Sequence, residues 1–484
     1  MLFNSIDFAI FLPIVFAFYW FVINKNINVQ NLFLVIASYV FYGWWDWRFL
    51  SLIIISSVVD YAIGIKMSEC NTNKKRRLLL VLSLLVNLGI LMCFKYFNFF
   101  AQNFVDAFTY LGIDFKLTSL EIILPVGISF YTFQTLSYSI DVYRNKLEPT
   151  EDIVSFFAYV SFFPQLVAGP IERAKHLLPQ FFIPRKFDYS LAVSGMRLIL
   201  WGFFQKIVIA DGCAVYVNDI FTNYQSYSSP VLMQGAILFS FQIYGDFAGY
   251  SNIAIGVSRL FGFNLMQNFK YPYFSRDIAE FWRRWHISLS TWFRDYLYIP
   301  LGGSRVSQAM QIRNVFIVFL VSGFWHGAKW TFIVWGALNA IFFLPLLLSN
   351  KNRKYVSSLK AIKNIPDYKS LISIISTFLI TTFAWVFFRS NSITHAINYL
   401  KRIFINKDYT SLTISSTADN SIWPLYMFLG FFIIIEWLNR DNESIIGEFL
   451  LKQRFLRYSF YFLIILLVIL NINNESNNFI YFQF

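Results

Sequence analysis

A series of apolar runs, each long enough to cross a bilayer, recurs from end to end and limits the folds open to this chain. A membrane-spanning helix needs about 17 to 25 mostly apolar residues. Only 14% of the 484 residues are charged, whereas a soluble domain carries roughly 25%. The sequence therefore predicts an all-α polytopic membrane protein of about 11 or 12 membrane helices, with re-entrant and interfacial helices besides. The first run lacks a basic leader and a cleavage site, so we expect it to be retained.

The basic residues indicate topology rather than a nucleic-acid partner. The net charge is +13, but Lys and Arg lie in short loops between apolar runs instead of on one continuous face. Basic loops near 66–77 and 144–146 are expected in the cytoplasm, which places the N-terminus outside. The three cysteines show no paired spacing, so the sequence predicts neither a disulfide framework nor a metal site.

One apolar run breaks the alternation of the others. Residues 153–170 read IVSFFAYVSFFPQLVAGP and are flanked on both sides by loops that we expect in the cytoplasm. Pro164 and the Gly169–Pro170 pair both interrupt a helix. A re-entrant segment, surrounded by protein or by a water-filled cavity, fits this pattern. A short kinked span is the alternative.

Polar residues also occur within the apolar run 231–257. Gln242 and Asp246 are about one helical turn apart, so they are expected on one face of a helix. Such a polar stripe can join neighbouring helices. An ionisable residue at membrane depth more often belongs to a site or a cavity.

A Trp- and Arg-rich stretch at 277–296 has the period of one amphipathic helix. Glu280 and Arg284 are in i,i+4 register on it. Arg294 lies on the polar face, and His286 is expected at the border between the two faces. This composition is typical of a helix at the membrane interface.

His326 follows an apolar run of about eleven residues and precedes another, with Lys329 three residues on. This spacing predicts an imidazole and an ammonium inside the hydrophobic zone. A buried histidine stays neutral near pH 7, because desolvation disfavours its charged form. Neutral imidazole can accept a proton as a general base. A structural histidine that bonds a neighbouring helix is the alternative.

Several motifs together resemble the membrane-bound O-acyltransferase superfamily, and within it the branch of alginate and peptidoglycan O-acetyltransferases. The resemblance covers most of the chain, and its motifs read FFPQLVAGPIER, QIYGDFAGYSNIAIG, FWRRWHISLSTWFRDYLYIPLGG and FWHGAKWTFIVWG. It implies a helical bundle with a central funnel or tunnel, formed by a single membrane domain over 1–484. His326 matches the catalytic histidine of the family, and His286 matches the second important one.

Within that domain we expect N-terminal spans over 1–150, a core with both histidine motifs over 151–349, and C-terminal spans over 350–484. Four further residues are candidates for substrate binding. Asp246 and Gln165 would line the pocket, and Arg284 and Arg294 would attract the phosphates of coenzyme A, or lipid headgroups.

The resemblance also implies a function in the bacterial inner membrane. Acetyl groups would pass from a cytoplasmic donor, acetyl-CoA, to a cell-envelope polysaccharide such as peptidoglycan or an alginate-like glycan. No bound cofactor is expected, and a separate extracytoplasmic partner resembling a serine esterase would complete the transfer. The alternatives are a transporter that moves an acyl carrier or glycan without chemistry, and D-alanyl transfer to teichoic acid.

Overall fold

The computed structural model shows a helical protein with no strand among the residues that it describes. These residues are 1–113, 122–356, 366–406, 408–409, 411, 421–440, 453–472 and 479–480. The predicted all-α class is confirmed. Parts of the predicted C-terminal region 350–484 lie outside the described residues.

The helices are numbered in chain order. The first ten are α1 (Ile6–Ala17), α2 (Ile27–Asp46), α3 (Leu50–Glu69), α4 (Asn73–Leu91), α5 (Phe97–Tyr110), α6 (Ile128–Tyr143), α7 (Ile153–Ser161), α8 (Phe163–Leu166), α9 (Ala174–Leu177) and α10 (Tyr189–Phe203). The others are α11 (Asp211–Thr222), α12 (Ser229–Leu260), α13 (Ile278–Arg284), α14 (Ile287–Phe293), α15 (Gln308–His326), α16 (Trp330–Leu348), α17 (Tyr368–Arg389), α18 (Ile393–Lys401), α19 (Trp423–Asn439) and α20 (Arg454–Leu470).

Five helical stretches in the described residues are long and apolar enough to cross a membrane, which agrees with the predicted polytopic membrane protein. They are Ile27–Glu69, Asn73–Tyr110, Tyr189–Thr222, Trp330–Leu348 and Tyr368–Arg389. The first contains two helices of 20 residues each, α2 and α3. At 1.5 Å per residue, each is about 30 Å long and matches the hydrocarbon core.

The chain forms two compact units. The first comprises Met1–Gly195 with Ala254–Met266, and the second comprises Met196–Ile253 with Gln267–Phe484. Both histidines of the sequence motifs belong to the second unit.

In the first unit, the apolar run 153–170 is broken as its prolines predict. Helix α7 ends at Ser161, and α8 follows with only four residues. Continuing α7 would bring the ring of Pro164 against a carbonyl one turn back. The backbone N–H of Phe163 donates instead to the hydroxyl of Ser38 on α2, at 3.0 Å. The side chain of a neighbouring helix thus accepts the hydrogen bond of a backbone N–H at the break. The re-entrant path through the membrane stays a prediction.

A buried carboxyl group joins three helices of the first unit. Asp60 on α3 accepts hydrogen bonds from Ser83 and Asn87 on α4 and from Ser139 on α6. Its side chain is 0% exposed. A buried polar group is tolerated only when hydrogen bonds replace its hydration, so this cluster fixes how the three helices pack.

Candidate active site

The predicted single helix over 277–296 is wrong, because the chain breaks in its middle. Helix α13 ends at Arg284, helix α14 begins at Ile287, and His286 lies between them with φ 43° and ψ 56°. The break is held by hydrogen bonds from a distant segment. The Ile287 N–H donates to the Asn268 carbonyl at 2.9 Å, and the Lys270 N–H donates to the Arg284 carbonyl at 3.0 Å. The periodicity of the helix does not reveal these tertiary partners.

His286 is therefore not a border residue on a helix surface. It is 1% exposed, and its ring stands edge-on to Phe247 at 4.6 Å between ring centroids. The centroid of the Trp325 indole is 5.9 Å away. Burial lowers the pKa of His286 to about 3, because an aromatic surrounding disfavours the charged imidazolium. The imidazole is thus neutral near pH 7.

His326 is the last residue of α15 and is 4% exposed. Its ring centroid lies 5.2 Å from that of Trp335 and 5.3 Å from that of Phe388. Trp325, which touches His286, also touches His326, at 5.1 Å between ring centroids. The two histidines, which belong to separate sequence motifs, thus share one indole as a neighbour.

Two glycines allow α15 and α16 to approach closely enough to place His326 against Trp335. A Cβ on Gly323 would overlap the carbonyl oxygen of Phe332, and one on Gly336 would overlap that of Phe319. Neither position has room for a side chain. The close packing of these two backbones is therefore a condition for the geometry of the site.

Lys329 does not share the interior position of His326. It is exposed at the protein surface, at the N-cap of α16 where the chain has just left α15. The two apolar runs meet at a turn, and a turn residue can direct its long side chain outward while the histidine before it points inward. The depth of Lys329 in the hydrophobic zone stays a prediction.

The aromatic rings around the two histidines, Trp325, Trp335, Phe247 and Phe388, form an aromatic cluster. A cavity of about 520 Å³ opens beside it. Apolar side chains form one part of its lining: Trp282, Leu289, Phe293, Val315, Val318, Phe319, Phe343 and Leu347. Polar and basic side chains form the remainder: Ser290, Arg294, Tyr298, Ser304, Gln311, Ser322, Asn350, Asn352 and Arg353. Trp282 contacts Trp335 at 5.7 Å between ring centroids, and Trp335 contacts His326. One aromatic ring, that of Trp335, thus separates the apolar wall of the cavity from His326.

The structure separates the two arginines proposed for substrate binding. Arg294 lines the cavity, has a side chain that is 59% exposed, and pairs with Asp295 at 2.8 Å. Arg284 is buried and pairs with Glu280 at 2.9 Å, in the predicted i,i+4 register. The Arg284 guanidinium thus bonds within the protein, whereas the exposed side chain of Arg294 can reach a ligand in the cavity.

Asp246 is buried, and protein groups bind its carboxylate. Lys206 lies 2.7 Å from one oxygen, and the N–H of Ile480 donates to the other at 2.7 Å. Phe247, the next residue in the chain, contacts His286. The carboxylate therefore anchors the part of α12 that carries this ring.

Sequence reasoning missed Lys206 as the partner of Asp246. Its ammonium also lies 2.8 Å from a carboxylate oxygen of Asp211, five positions further along the chain. Lys206 lies within an apolar stretch of the sequence, near 190–213. Its position there could have predicted an ion pair, since an ionisable residue at membrane depth is expected to pair with another.

Gln165 belongs to the first unit, where it is 0% exposed on α8. The other predicted site residues belong to the second unit. Within that unit, His286 and His326 both contact the indole of Trp325. Asp246 immediately precedes Phe247, whose ring contacts His286. Arg294 lines the cavity beside the aromatic cluster.

Comparison with known proteins identifies the family. A sequence model of the membrane-bound O-acyltransferase family matches residues 41–388. The chain belongs to the membrane-bound O-acyltransferase family. It is therefore a membrane O-acyltransferase, and both histidines and the cavity lie within the matched residues.

Several similar proteins are named for acyl transfer to alginate, peptidoglycan or teichoic acid. The probable alginate O-acetylase AlgI of Pseudomonas syringae pv. tomato is 40% identical over 453 residues, which cover 92% of this chain and 84% of that protein. The peptidoglycan O-acetyltransferase of Helicobacter pylori is 34% identical over 92% of this chain and 85% of that protein. The teichoic acid D-alanyltransferase of Bacillus subtilis is 28% identical over 56% of this chain and 70% of that protein.

Proposed function

We propose that this acyltransferase takes acetyl groups from acetyl-CoA in the cytoplasm and passes them across the membrane for O-acetylation of a cell-envelope polysaccharide. Peptidoglycan and an alginate-like glycan are the proposed acceptors. The observation that carries the proposal is the shared contact of His286 and His326 with Trp325, beside a cavity lined partly by apolar and partly by basic side chains.

In the proposed reaction, His326 is the general base. A hydroxyl oxygen of the acceptor attacks the carbonyl carbon of the acetyl thioester, forming a C–O bond, while the C–S bond breaks. The hydroxyl proton passes to the imidazole of His326 and then to the departing thiolate, which leaves as the thiol. The products are an acetyl ester and free coenzyme A. Proton transfer of this kind contributes roughly 10²–10⁴-fold in rate.

The cavity suits acetyl-CoA as the donor because it has an apolar wall for the acyl end and basic side chains for the phosphates. The apolar wall around Trp282 and Phe319 would receive the uncharged acyl end. Arg294 and Arg353 would bind the phosphates, which carry the negative charge. The basic residues next to Arg353 in the chain, Lys351 and Lys354, favour a cytoplasmic position for this end of the cavity.

The hydroxyl that attacks the thioester belongs to an intermediate acceptor, and a separate extracytoplasmic partner that resembles a serine esterase would then move the acetyl group to the polysaccharide. We assign the serine-esterase chemistry of that last transfer to the partner. His286 would orient the acceptor hydroxyl, stabilise developing charge or relay the proton. Its neutral form near pH 7 suits each of these roles.

The test uses the purified protein in liposomes with radiolabelled acetyl-CoA and follows release of label from the thioester as acetate, with water taking the place of the acceptor hydroxyl. We expect turnover in the wild type, with a loss of about 100-fold or more in His326→Ala. His395→Ala is the matched control, because His395 lies on α18 beside Phe221 and outside this cluster. Equal turnover in wild type and His326→Ala would remove His326 from the mechanism, and labelled D-alanine thioester tests the D-alanyl alternative in the same assay.

A further inference from the structure

The break that carries His286 is held by one short segment of the second unit. The carbonyl of Asn268 accepts from the N–H of Ile287 at 2.9 Å, and the N–H of Lys270 donates to the carbonyl of Arg284 at 3.0 Å. These two bonds lie on either side of His286. The backbone that presents the imidazole is therefore fixed from both directions.

The side chain of Asn268 adds two further contacts. Its carbonyl oxygen accepts from the Ser288 hydroxyl at 2.6 Å, and its amide donates to the Ser251 hydroxyl at 3.0 Å. Asn268 is 0% exposed. Through it, the first turn of α14 is tied to α12, the helix that also carries Phe247, a ring packed edge-on to His286.

The Asn268 carboxamide can bond both serine hydroxyls, since it offers an N–H donor and an oxygen acceptor on one planar group. The conformation of His286 explains why such support is needed. A φ of 43° lies in the left-handed region, which side-chain-bearing residues rarely adopt. Such a conformation persists when the surrounding structure holds it.

We propose that Asn268 is a positioning residue, which sets the direction of the His286 imidazole at the reaction centre through Ile287, Ser288 and Ser251. The inference rests on the proposed function, in which His286 acts on the acceptor or on developing charge. Asn268 itself does not touch the reacting atoms. Its removal leaves the histidine in place but changes where the ring points.

The experiment measures kcat and KM for acetyl-CoA turnover by the full-length protein in liposomes. Asn268→Leu keeps the approximate volume and removes both side-chain hydrogen bonds. We expect its kcat to fall roughly 10- to 100-fold, the effect of a misplaced group, with KM within about twofold of wild type. Asn439→Leu is the matched control: Asn439 is also buried in the second unit, and its amide bonds the Ile435 carbonyl of its own helix. Its kcat should stay near the wild-type value.

A second comparison separates positioning from general damage. In a His286→Ala background, Asn268→Leu should lower kcat no further, because no imidazole remains to be oriented. A further fall by the full factor would overturn the proposal. Should Asn268→Leu fail to fold, Ser251→Ala removes only the acceptor of the Asn268 amide, and we expect a several-fold lower kcat.

The outcomes distinguish this inference from the proposed function. Wild-type kcat in both Asn268→Leu and Ser251→Ala, together with a lowered kcat in His286→Ala, would refute the role of Asn268 and leave the proposed function standing. Wild-type kcat in His286→Ala would remove His286 from the reaction, and the role of Asn268 with it.

Discussion

His286 is a neutral imidazole buried among aromatic rings, and this burial links its protonation to folding. Burial keeps the pKa of His286 at about 3, while a histidine in an unfolded chain titrates near 6.5. As pH falls below about 6.5, the imidazole of His286 binds a proton in the unfolded state but stays unprotonated in the folded state. Folding stability is therefore lost progressively between about pH 6.5 and 3.

This linkage predicts the behaviour of His286→Gln. Between about pH 7.5 and 5.0, the wild type should lose on the order of 2 kcal/mol more unfolding free energy than the variant. Denaturant or detergent unfolding of the purified protein at the two pH values measures the difference. A pH dependence that is unchanged by the substitution would show that the imidazole is not buried in its neutral form.

The exposed arginine Arg353 at the cavity gives a second prediction. Arg353→Ala should raise the KM for acetyl-CoA roughly 3- to 10-fold, because a charge-assisted hydrogen bond to phosphate is lost, with kcat nearly unchanged. Arg305→Ala is the control, since Arg305 is exposed between α14 and α15 but is not among the residues that line the cavity. Equal KM values in both variants would argue against phosphate binding there.

Close contact between helices α15 and α16 positions His326. Gly323→Ala would place a methyl group on the carbonyl oxygen of Phe332, so we expect destabilisation of about 1–3 kcal/mol and reduced turnover. Gly430→Ala on α19 is the control, because beyond the local backbone of its own helix no heavy atom in the described residues lies within 4 Å of the added Cβ. Thermal unfolding in detergent compares the two, and equal stability would contradict the close packing.

The helices also show what sequence patterns can predict. Long apolar runs predicted helices long enough to cross a membrane, and Pro164 located the break after α7, because both signals are local. The amphipathic period over 277–296 predicted one helix, since the bonds that break it come from Asn268 and Lys270. The Glu280–Arg284 pair was predictable because the partners lie one turn apart. Trp325 as the shared neighbour of two histidines required the tertiary structure.

If acetyl-CoA is the donor, the protein must be oriented in the membrane so that the basic end of the cavity faces the cytoplasm. The basic loop at 66–77 is predicted in the cytoplasm and the turn around Arg48 outside. In a cysteine-free background, Lys74→Cys and Arg353→Cys should react with an impermeant maleimide only from the cytoplasmic face. Arg48→Cys should react only from the outer face. Labelling of position 353 from outside would place this end of the cavity on the wrong side for acetyl-CoA.

Ester-linked acetate in the cell envelope of the source bacterium shows whether His326 drives O-acetylation in the cell. Cells with the gene deleted receive wild type, His326→Ala or His395→Ala at matched membrane levels, and are fed isotopically labelled acetate. Alkali then releases acetate from the purified envelope polysaccharides. We expect wild type and His395→Ala to restore labelled acetate, and His326→Ala not to do so. Equal restoration by His326→Ala would contradict acetyl transfer with this histidine as the base.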